Sequence, residues 1–481
     1  MRIKFKFNRK TLALWMGLLF ILLLECTIKW VGDLFGRINM DEVALMLQIG
    51  ASGVDAEIMW SFVRKVILRS LLWSGILTSV CIVLRRYKYV PMLVWASMTV
   101  VLGMRIVDAN IQFGSFFNTE FSDFYEREYV FPENAEIKFN AKRNVLMIAL
   151  ESMEKSYADE TVFGAGGLTP NITKIERHNV SFENYHVLSG LSHTIAAITG
   201  MTTGLPLFFS GFKGIEKMLG ATGVGNIFVK NGYQTWAFFP ASGKFSLKEN
   251  FLWRMGFEYV YDGVRLREML DYELDVKPFE GIDDGTLFSM TRPMIADIIK
   301  SGQPYFIFME TINTHCEGYY TQHCRDLGFQ QETMEDIAKC EDKIVYDFVQ
   351  WFRKQDPNAV VILVNDHMQH SGEIMEKLSP MGSRALNNVF INADGVFRGV
   401  DKSRPVAAFD FFPTVVEAAG GIIPGCRLGL GTALTLRCAG VQTLREKYGD
   451  AELQKLMEQK NNLYYSCDWD INYFASEFHR M

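Results

Sequence analysis

Three polar residues that follow apolar runs have side chains suited to binding a metal ion. Glu151 follows one run, and Asp366 and His367 follow another. Two carboxylates and an imidazole are a donor set for Mn²⁺ or Zn²⁺, with Mg²⁺ as a further alternative. A carboxylate or an Asp-His pair at a strand end is also a common cap or solvated turn. Together, the three residues predict a site for one divalent ion.

Hydroxyl groups that could act with such an ion occur in the segment 189–198, which has the pattern of a loop running into a helix. Ser192 and Thr194 are the two candidates. A hydroxyl beside a divalent ion can lose its proton and attack phosphorus, while backbone N–H groups at the helix start hold phosphate oxygens. Ser and Thr are also preferred simply as helix N-caps. Composition alone does not choose between these interpretations.

The elements that must position these residues begin at residue 144, where short apolar runs alternate with amphipathic stretches. This rhythm predicts βα units and a mostly parallel sheet flanked by helices, an α/β fold. Ligands collect beyond the carboxyl ends of parallel strands, so the polar residues at the strand ends are expected to converge on one crevice. The predicted strands cover 144–150, 235–239, 305–309, 359–364 and 388–391, and one helix is predicted over 335–355.

The N-terminal hundred residues are predicted to form a membrane domain. Three stretches, 12–31, 66–84 and 89–107, are apolar enough to cross a bilayer. Glu25 lies within the first, either near the interface or as a functional carboxylate. Basic residues in the N-terminal tail and between the second and third spans belong in the cytoplasm, which puts the rest of the chain outside. The predicted boundaries are a membrane domain at 1–107, a membrane-proximal linker at 108–143 and an extracytoplasmic catalytic domain at 144–481.

Charge and cysteine content narrow the class of partners. The net charge is only -6 and the basic residues form no block outside the N-terminal tail, which argues against a nucleic-acid surface. Six cysteines lie after residue 143, an even number that suits an oxidising compartment. Sequence does not fix their pairing, although Cys316 with Cys324 and Cys426 with Cys438 would close short loops. A thiolate metal site is the alternative.

Several short segments, in one order, resemble the lipoteichoic acid synthase and phosphoglycerol transferase I family of the sulfatase-like, alkaline-phosphatase superfamily. The likeness covers about residues 144–434. The segments are NVLMIALES (144–152), LTPN (168–171), HTIA (193–196) with GLPL (204–207), TINTH (311–315), NDH (365–367), NN (387–388) and LGLG (428–431). The resemblance implies an alkaline-phosphatase-like catalytic domain.

It also implies a role for individual residues. Thr194 takes the position of the nucleophile, which forms a covalent phosphoryl-threonine and shares the metal with the three ligands above. His315 takes the position of a substrate-facing histidine that steadies phosphate or protonates a leaving alkoxide; its alternative is a turn histidine. Lys248 falls where relatives have a basic phosphate contact, with a solvated lysine as the alternative. His370 is a weaker candidate for substrate binding.

The activity implied by the resemblance is transfer of phosphoglycerol from a membrane phospholipid, phosphatidylglycerol, to a hydroxyl of a cell-envelope glycan. The expected location is the inner membrane, with the catalytic domain in the periplasm. A phosphoethanolamine transferase acting on lipopolysaccharide and a non-catalytic envelope sensor are the alternatives. A sulfatase is disfavoured because Thr194 is not in a C/S-x-P-x-R context. The acceptor and the oligomeric state are not fixed by sequence.

Overall fold

The computed structural model describes residues 9–35, 56–84, 87–108, 121–208, 221–274, 276–315, 318–370, 372–459, 461 and 463. These residues divide into two compact units. The first contains the helices between residues 9 and 108, together with His370 and Gly372. The second contains the remaining described residues from 121 onward.

The described helices and strands are numbered here in chain order. The helices are α1 Arg9–Phe35, α2 Ala56–Phe62, α3 Arg69–Val83, α4 Val90–Asp108, α5 Phe124–Glu128, α6 Glu160–Phe163, α7 Pro170–Arg177, α8 Thr194–Thr203, α9 Val224–Lys230, α10 Lys248–Arg254, α11 Gly263–Glu268, α12 Asp284–Lys300, α13 Gln322–Asp326, α14 Met334–Gln355, α15 Met375–Leu378, α16 Asp394–Phe397, α17 Phe411–Ala418, α18 Leu444–Tyr448 and α19 Asp450–Glu458. The strands of the main sheet are β1 Val145–Leu150, β2 Gln234–Phe238, β3 Tyr259–Tyr261, β4 Tyr305–Glu310, β5 Val360–Asn365 and β6 Asn388–Ile391.

Among the described residues of the first unit, two helical segments are long and apolar enough to cross a membrane, judged by length and composition. They are Arg9–Val31 and Met59–Val83, while the apolar stretch Val90–Ile106 is shorter. The third predicted span forms the helix α4, whose apolar stretch is shorter than those of the other two. Within this unit the Glu25 carboxylate accepts a hydrogen bond from Arg105 Nε at 3.0 Å, so this acidic side chain is paired.

The second unit is built on a six-stranded sheet in the order β3-β2-β4-β1-β5-β6. The first five of these strands run parallel, and β6 pairs antiparallel with β5 at one edge. All five predicted strands are present within one residue at either end, and the predicted helix is α14. The mostly parallel α/β fold is thus confirmed. The edge strand β3 was not predicted because three residues are too few to show a periodicity.

Both faces of the sheet are covered, which explains why the central strands are apolar throughout. Along β1, Met147 and Ala149 face one core and Ile148 and Leu150 face the other. Helix α8 packs on the first face and α12 and α14 pack on the second, since their buried residues belong to the corresponding cores. The carboxyl end of β1 therefore opens beside α8.

The described part of the expected linker, residues 121–143, packs within the second unit. Phe124 and Tyr125 of α5 are buried in its core. Glu128 accepts hydrogen bonds from Arg427 Nη1 at 3.1 Å and from Lys447 Nζ at 2.6 Å. Lys138–Phe139 also pairs antiparallel with residues 421 and 422. The predicted linker thus includes residues of the core of the second unit.

The disulfides correct one of the two predicted pairings. Cys426 is bonded to Cys438, as predicted, but Cys324 is bonded to Cys340 on the neighbouring helix α14. Helix contacts bring these residues together over 16 positions, which sequence spacing does not reveal. Cys316 lies outside the described residues. These four cysteines are oxidised and are therefore not thiolate metal ligands.

Candidate active site and metal centre

Glu151 lies directly after β1, and the end of β4 fixes its backbone. Its N–H donates to Thr311 Oγ1 at 3.0 Å, and its carbonyl accepts from Thr314 Oγ1 at 2.5 Å. The next residue, Ser152, has a φ of 52°, a left-handed conformation that side chains other than glycine rarely adopt. Hydrogen bonds to residues that follow β4 therefore stabilise this strained turn, which contains the buried carboxylate of Glu151.

Asp366 and His367 lie directly after β5, the strand on the other side of β1. Asp366 Oδ1 accepts the backbone N–H of Ser152 at 3.0 Å and that of His367 at 2.6 Å. Its second oxygen, Oδ2, is buried and has no hydrogen-bond partner among the described residues. It lies 3.4 Å from His367 Nε2, which in turn lies 3.3 Å from Glu151 Oε1. The three predicted ligands are therefore brought together.

The contact of His367 with a backbone carbonyl shows that its Nδ1 carries a proton. Nδ1 lies 2.9 Å from the carbonyl oxygen of Met368, and a carbonyl can only accept, so Nδ1 is the donor. Nε2 faces the two carboxylates, and once unprotonated it offers its lone pair to a metal ion. A backbone carbonyl commonly orients metal-binding histidines in this way.

Thr194 is the first residue of α8, and its hydroxyl points into the same cluster. Oγ1 lies 3.1 Å from Glu151 Oε2, to which it donates, and 3.2 Å from His367 Nε2. His193 is the N-cap residue, and its side chain makes no capping bond. The N-cap interpretation thus does not describe Thr194, whose hydroxyl faces the carboxylate and the imidazole. Ser192 lies in the loop that precedes the helix.

The C-terminal end of α8 explains the glycines in two of the family-like segments, GLPL (204–207) and LGLG (428–431). Gly204 terminates the helix with a φ of 72°, and its carbonyl accepts the N–H of Leu430 at 2.9 Å. A Cβ built on Gly204 would lie 3.0 Å from Gly429 Cα and from Leu428 O. The two loops therefore approach so closely that glycine is required at the contact. This contact helps to fix the helix that carries Thr194.

The cluster has the properties of a divalent-metal site. Ligand atoms of Glu151, Asp366 and His367 all lie within 4.8 Å of one another, and all three residues are buried. Burial, followed by the charge of Glu151, raises the pKa of Asp366 to about 7. Two close buried carboxylates repel each other unless a cation or a proton compensates them. The orphaned Oδ2, the lone pair of Nε2 and the nearby hydroxyl together fit one ion.

His315 lies in the loop after β4, close to this cluster. Its ring packs edge-on against Phe279 with a centroid distance of 4.9 Å. Burial, followed by the charge of His367, lowers the pKa of His315 to about 3, so the imidazole is neutral near pH 7. A neutral imidazole donates one hydrogen bond and accepts another. This state suits holding a phosphate oxygen better than acting as a cationic acid.

Lys248, the first residue of α10, is not a solvated lysine. Its side chain is 3 % exposed, and its ammonium donates to both carboxylate oxygens of Glu310, at 2.5 and 2.7 Å. Glu310 is the last residue of β4, and it interacts electrostatically with Asp366 and His367. Burial raises the pKa of Glu310, although the adjacent Lys248 opposes the rise. A buried ion pair therefore adjoins the cluster.

Comparison with known proteins identifies the family of this chain. The sulfatase family profile matches residues 143–422, more than half of the chain. The chain belongs to the sulfatase family. Among curated relatives, phosphoglycerol transferase I of Escherichia fergusonii is 25% identical over 307 residues, which cover 59% of this chain and 38% of the relative. Phosphoglycerol transferase I of Xanthomonas euvesicatoria is 25% identical over 335 residues, covering 65% and 45%.

The aligned region of this sulfatase-family chain thus spans less than half the length of those relatives. A solved structure with the same fold is that of the integral membrane lipooligosaccharide phosphoethanolamine transferase A (EptA) from Neisseria meningitidis. It is 14% identical, with a TM-score of 0.50, and the match covers 85% of this chain and 84% of EptA. At this identity the likeness shows the fold alone, an alkaline-phosphatase-like α/β domain.

Sequence reasoning missed two features of the sulfatase-family site. Glu310 was not singled out, although a carboxylate directly after five apolar residues is the same signal that marked Glu151. Asp284 was also missed: its carboxylate accepts the backbone N–H groups of Ile312, at 2.9 Å, and of Asn313, at 2.6 Å, and so holds the loop that carries His315. His370 falls in the other compact unit, and its role in substrate binding stays a prediction.

Proposed function

We propose that this protein transfers phosphoglycerol from phosphatidylglycerol to a hydroxyl of an envelope glycan, using Thr194 as nucleophile. The single observation that carries the proposal is the Thr194 hydroxyl, within 3.2 Å of both Glu151 and His367 in a cluster that fits one divalent ion. The similarity to phosphoglycerol transferase I of two bacteria supports phosphoglycerol as the group that is transferred.

The transfer is a two-step exchange at phosphorus. In the first step a bond forms between Thr194 Oγ1 and phosphorus, and the bond from phosphorus to the diacylglycerol oxygen breaks; Thr194 loses a proton and diacylglycerol gains one. In the second step a glycan hydroxyl oxygen attacks phosphorus, the bond to Thr194 breaks, and Thr194 regains a proton. Phosphoglycerol is conserved, and no oxidant or nucleotide is needed.

Individual side chains have separate tasks in this proposal. Glu151, Asp366, His367 and Thr194 would hold the ion, which when bound would supply positive charge that favours loss of the Thr194 hydroxyl proton. Glu151 orients the hydroxyl through the 3.1 Å hydrogen bond. The neutral His315 donates a hydrogen bond to a phosphate oxygen, and Lys248 supplies a cation near it. The first backbone N–H groups of α8 are available to the phosphate as well.

The membrane setting of the proposal is an inner membrane with the catalytic unit in the periplasm. Two candidate membrane helices support attachment to a bilayer, and the disulfides Cys324–Cys340 and Cys426–Cys438 support an oxidising compartment. A phospholipid donor presents its scissile bond at the headgroup layer. Tethering the enzyme there raises the effective concentration of the donor.

The proposal is tested with the full chain in detergent, Mn²⁺ and phosphatidylglycerol labelled in its headgroup glycerol. We expect diacylglycerol to be released and the label to appear on a peptide that contains Thr194. Thr194→Ala should abolish both signals, whereas Thr194→Ser keeps a hydroxyl and should retain part of each. Phosphatidylethanolamine labelled in its headgroup is the matched control lipid. Turnover of phosphatidylethanolamine alone would show that the donor is wrong. Release of diacylglycerol without label on Thr194 would show that the covalent mechanism is wrong.

A further inference from the structure

Three carboxylates end or follow neighbouring strands on one face of the sheet. Glu151 follows β1 and Asp366 follows β5, while Glu310 is the last residue of β4, opposite Ala149 in the register of the parallel pair. Side chains alternate along a strand, so Glu310 lies on the same face as Phe306 and Phe308, the face covered by α8. Glu310 is therefore a third acidic group at the carboxyl ends of the strands, on the face covered by the helix that begins with Thr194.

Glu310 is paired with a lysine of the chain itself. Lys248 Nζ donates to both of its oxygens, and the two side chains are 3 % and 2 % exposed. The ammonium also lies 5.3 Å from the centre of the Phe239 ring. The charge of Lys248 interacts electrostatically with His315, and the charge of Glu310 interacts with His367. The pair thus sits within electrostatic range of the residues assigned to phosphate and metal.

A flexible lysine binds phosphate more tightly when its head group is fixed before the ligand arrives. The ammonium has three N–H donors on a four-carbon stem, and ordering the stem costs side-chain entropy. Glu310 takes two donors in a bidentate contact, which leaves one donor and a fixed direction for a ligand oxygen. Phe239 limits movement on another side. The side-chain entropy of Lys248 is therefore lost when the protein folds rather than when the ligand binds.

We propose that Glu310 is a positioning residue that holds the Lys248 ammonium at the edge of the metal cluster, in the place where it contacts a phosphate group of the substrate. The proposal deepens the proposed function and rests on it for the identity of that substrate. It excludes two simpler roles for Glu310. One is a structural ion pair with no effect on the ligand, and the other is a counter-charge that only repels phosphate.

Binding of inorganic phosphate to the Mn²⁺-loaded full chain, measured by isothermal titration calorimetry, separates these roles. Glu310→Gln keeps the shape of the side chain but offers a single, uncharged acceptor. We expect it to weaken phosphate binding about tenfold while the protein keeps its Mn²⁺ stoichiometry. Lys248→Arg should retain most of the affinity when Glu310 is present, because a guanidinium fork also pairs bidentately with a carboxylate. In the Glu310→Gln background, Lys248→Arg should not restore it.

A double variant covers the case in which one unpaired charge prevents folding. Replacing a buried ion pair by apolar residues of similar volume is often neutral for stability. We therefore expect Lys248→Met combined with Glu310→Leu to fold with a melting temperature near that of wild type and to bind phosphate about tenfold more weakly. Wild-type affinity in this folded double variant would show that the pair is only structural. Tighter binding by Glu310→Gln would show that the carboxylate only repels.

The outcome is independent of the lipid assay. Wild-type protein that turns over no phosphatidylglycerol, while Glu310→Gln loses phosphate affinity, would overturn the proposed donor and leave the role of Glu310 standing. Lipid turnover with unchanged KM and kcat in Glu310→Gln would overturn the role of Glu310 alone. Absence of phosphate binding by the metal-loaded wild type would overturn it as well. In a lipid assay, a positioning role predicts that Glu310→Gln raises KM more than it lowers kcat.

Discussion

Replacing Asp366 by asparagine separates metal binding from folding. Oδ1 accepts two backbone N–H groups, and the asparagine amide oxygen can keep both. The amide nitrogen would take the place of Oδ2, the buried oxygen that has no partner among the described residues. Asparagine thus preserves the turn but removes both the negative charge and a ligand atom. Asp366→Asn should therefore stabilise the metal-free protein and abolish the added stability that Mn²⁺ confers.

The size of the effect follows from the pKa of Asp366, which burial and then the charge of Glu151 raise from 3.8 to about 7. The folded state holds the proton more tightly than the unfolded state, so stability is lost as the pH rises from about 4 to about 7. At about 1.4 kcal/mol for each pKa step, the ionised carboxylate costs the metal-free protein at most about 4 kcal/mol above pH 7. The gain from Asp366→Asn should therefore be larger at pH 8 than at pH 5.

The assay is thermal unfolding of the full chain, followed by near-UV circular dichroism, with chelator or with Mn²⁺. At a hundredfold excess over Kd, Mn²⁺ should stabilise wild type by about 2.7 kcal/mol and leave Asp366→Asn unchanged. Asp410→Asn is the matched control, because burial also raises the pKa of Asp410 to about 7 but Asp410 is not among the proposed ligands. The reasoning is refuted if Mn²⁺ stabilises Asp366→Asn as much as Asp410→Asn.

Three further outcomes are expected. Thr194→Ser should keep measurable transfer in the headgroup-label assay whereas Thr194→Val should keep none, and equal activity of the two would contradict a covalent role. His315→Gln, which can donate a hydrogen bond but cannot be protonated, should retain more kcat than His315→Ala, which should lose about 10²–10³-fold in a steady-state assay; equal losses would instead favour a proton-transfer role. Replacing Cys324 and Cys340 by serine should cost about 3 kcal/mol of unfolding free energy for a loop of 16 positions, and an unchanged urea midpoint would show that the bond contributes nothing.

The central part of the fold was predictable because the strands are buried on both faces and end at recognisable polar residues. The runs that end at Glu151 and Asp366 are uniformly apolar, and parallel strands bring their carboxyl ends to one edge. Residues far apart in sequence, including Thr194, were placed together by the resemblance rather than by periodicity. The structure brings these residues within hydrogen-bonding distance.

Other features depended on tertiary contacts that no local pattern encodes. Cys324 pairs with Cys340 because α13 and α14 are neighbours, although Cys316 is nearer in sequence. Lys248 gave the same sequence signal as a solvated lysine, and only packing shows that Glu310 buries and neutralises it. Phe124 falls within the predicted membrane-proximal linker, but it lies in the core of the second unit.

The most direct test of the account is anomalous diffraction at the zinc edge from crystals of the protein grown with Zn²⁺. The account predicts one strong peak at about 2.0–2.2 Å from oxygens of Glu151, Asp366 and Thr194 and from Nε2 of His367. A peak bound elsewhere, or an ion held by the other three ligands with Thr194 Oγ1 out of bonding distance, would contradict the assignment of this threonine as the nucleophile.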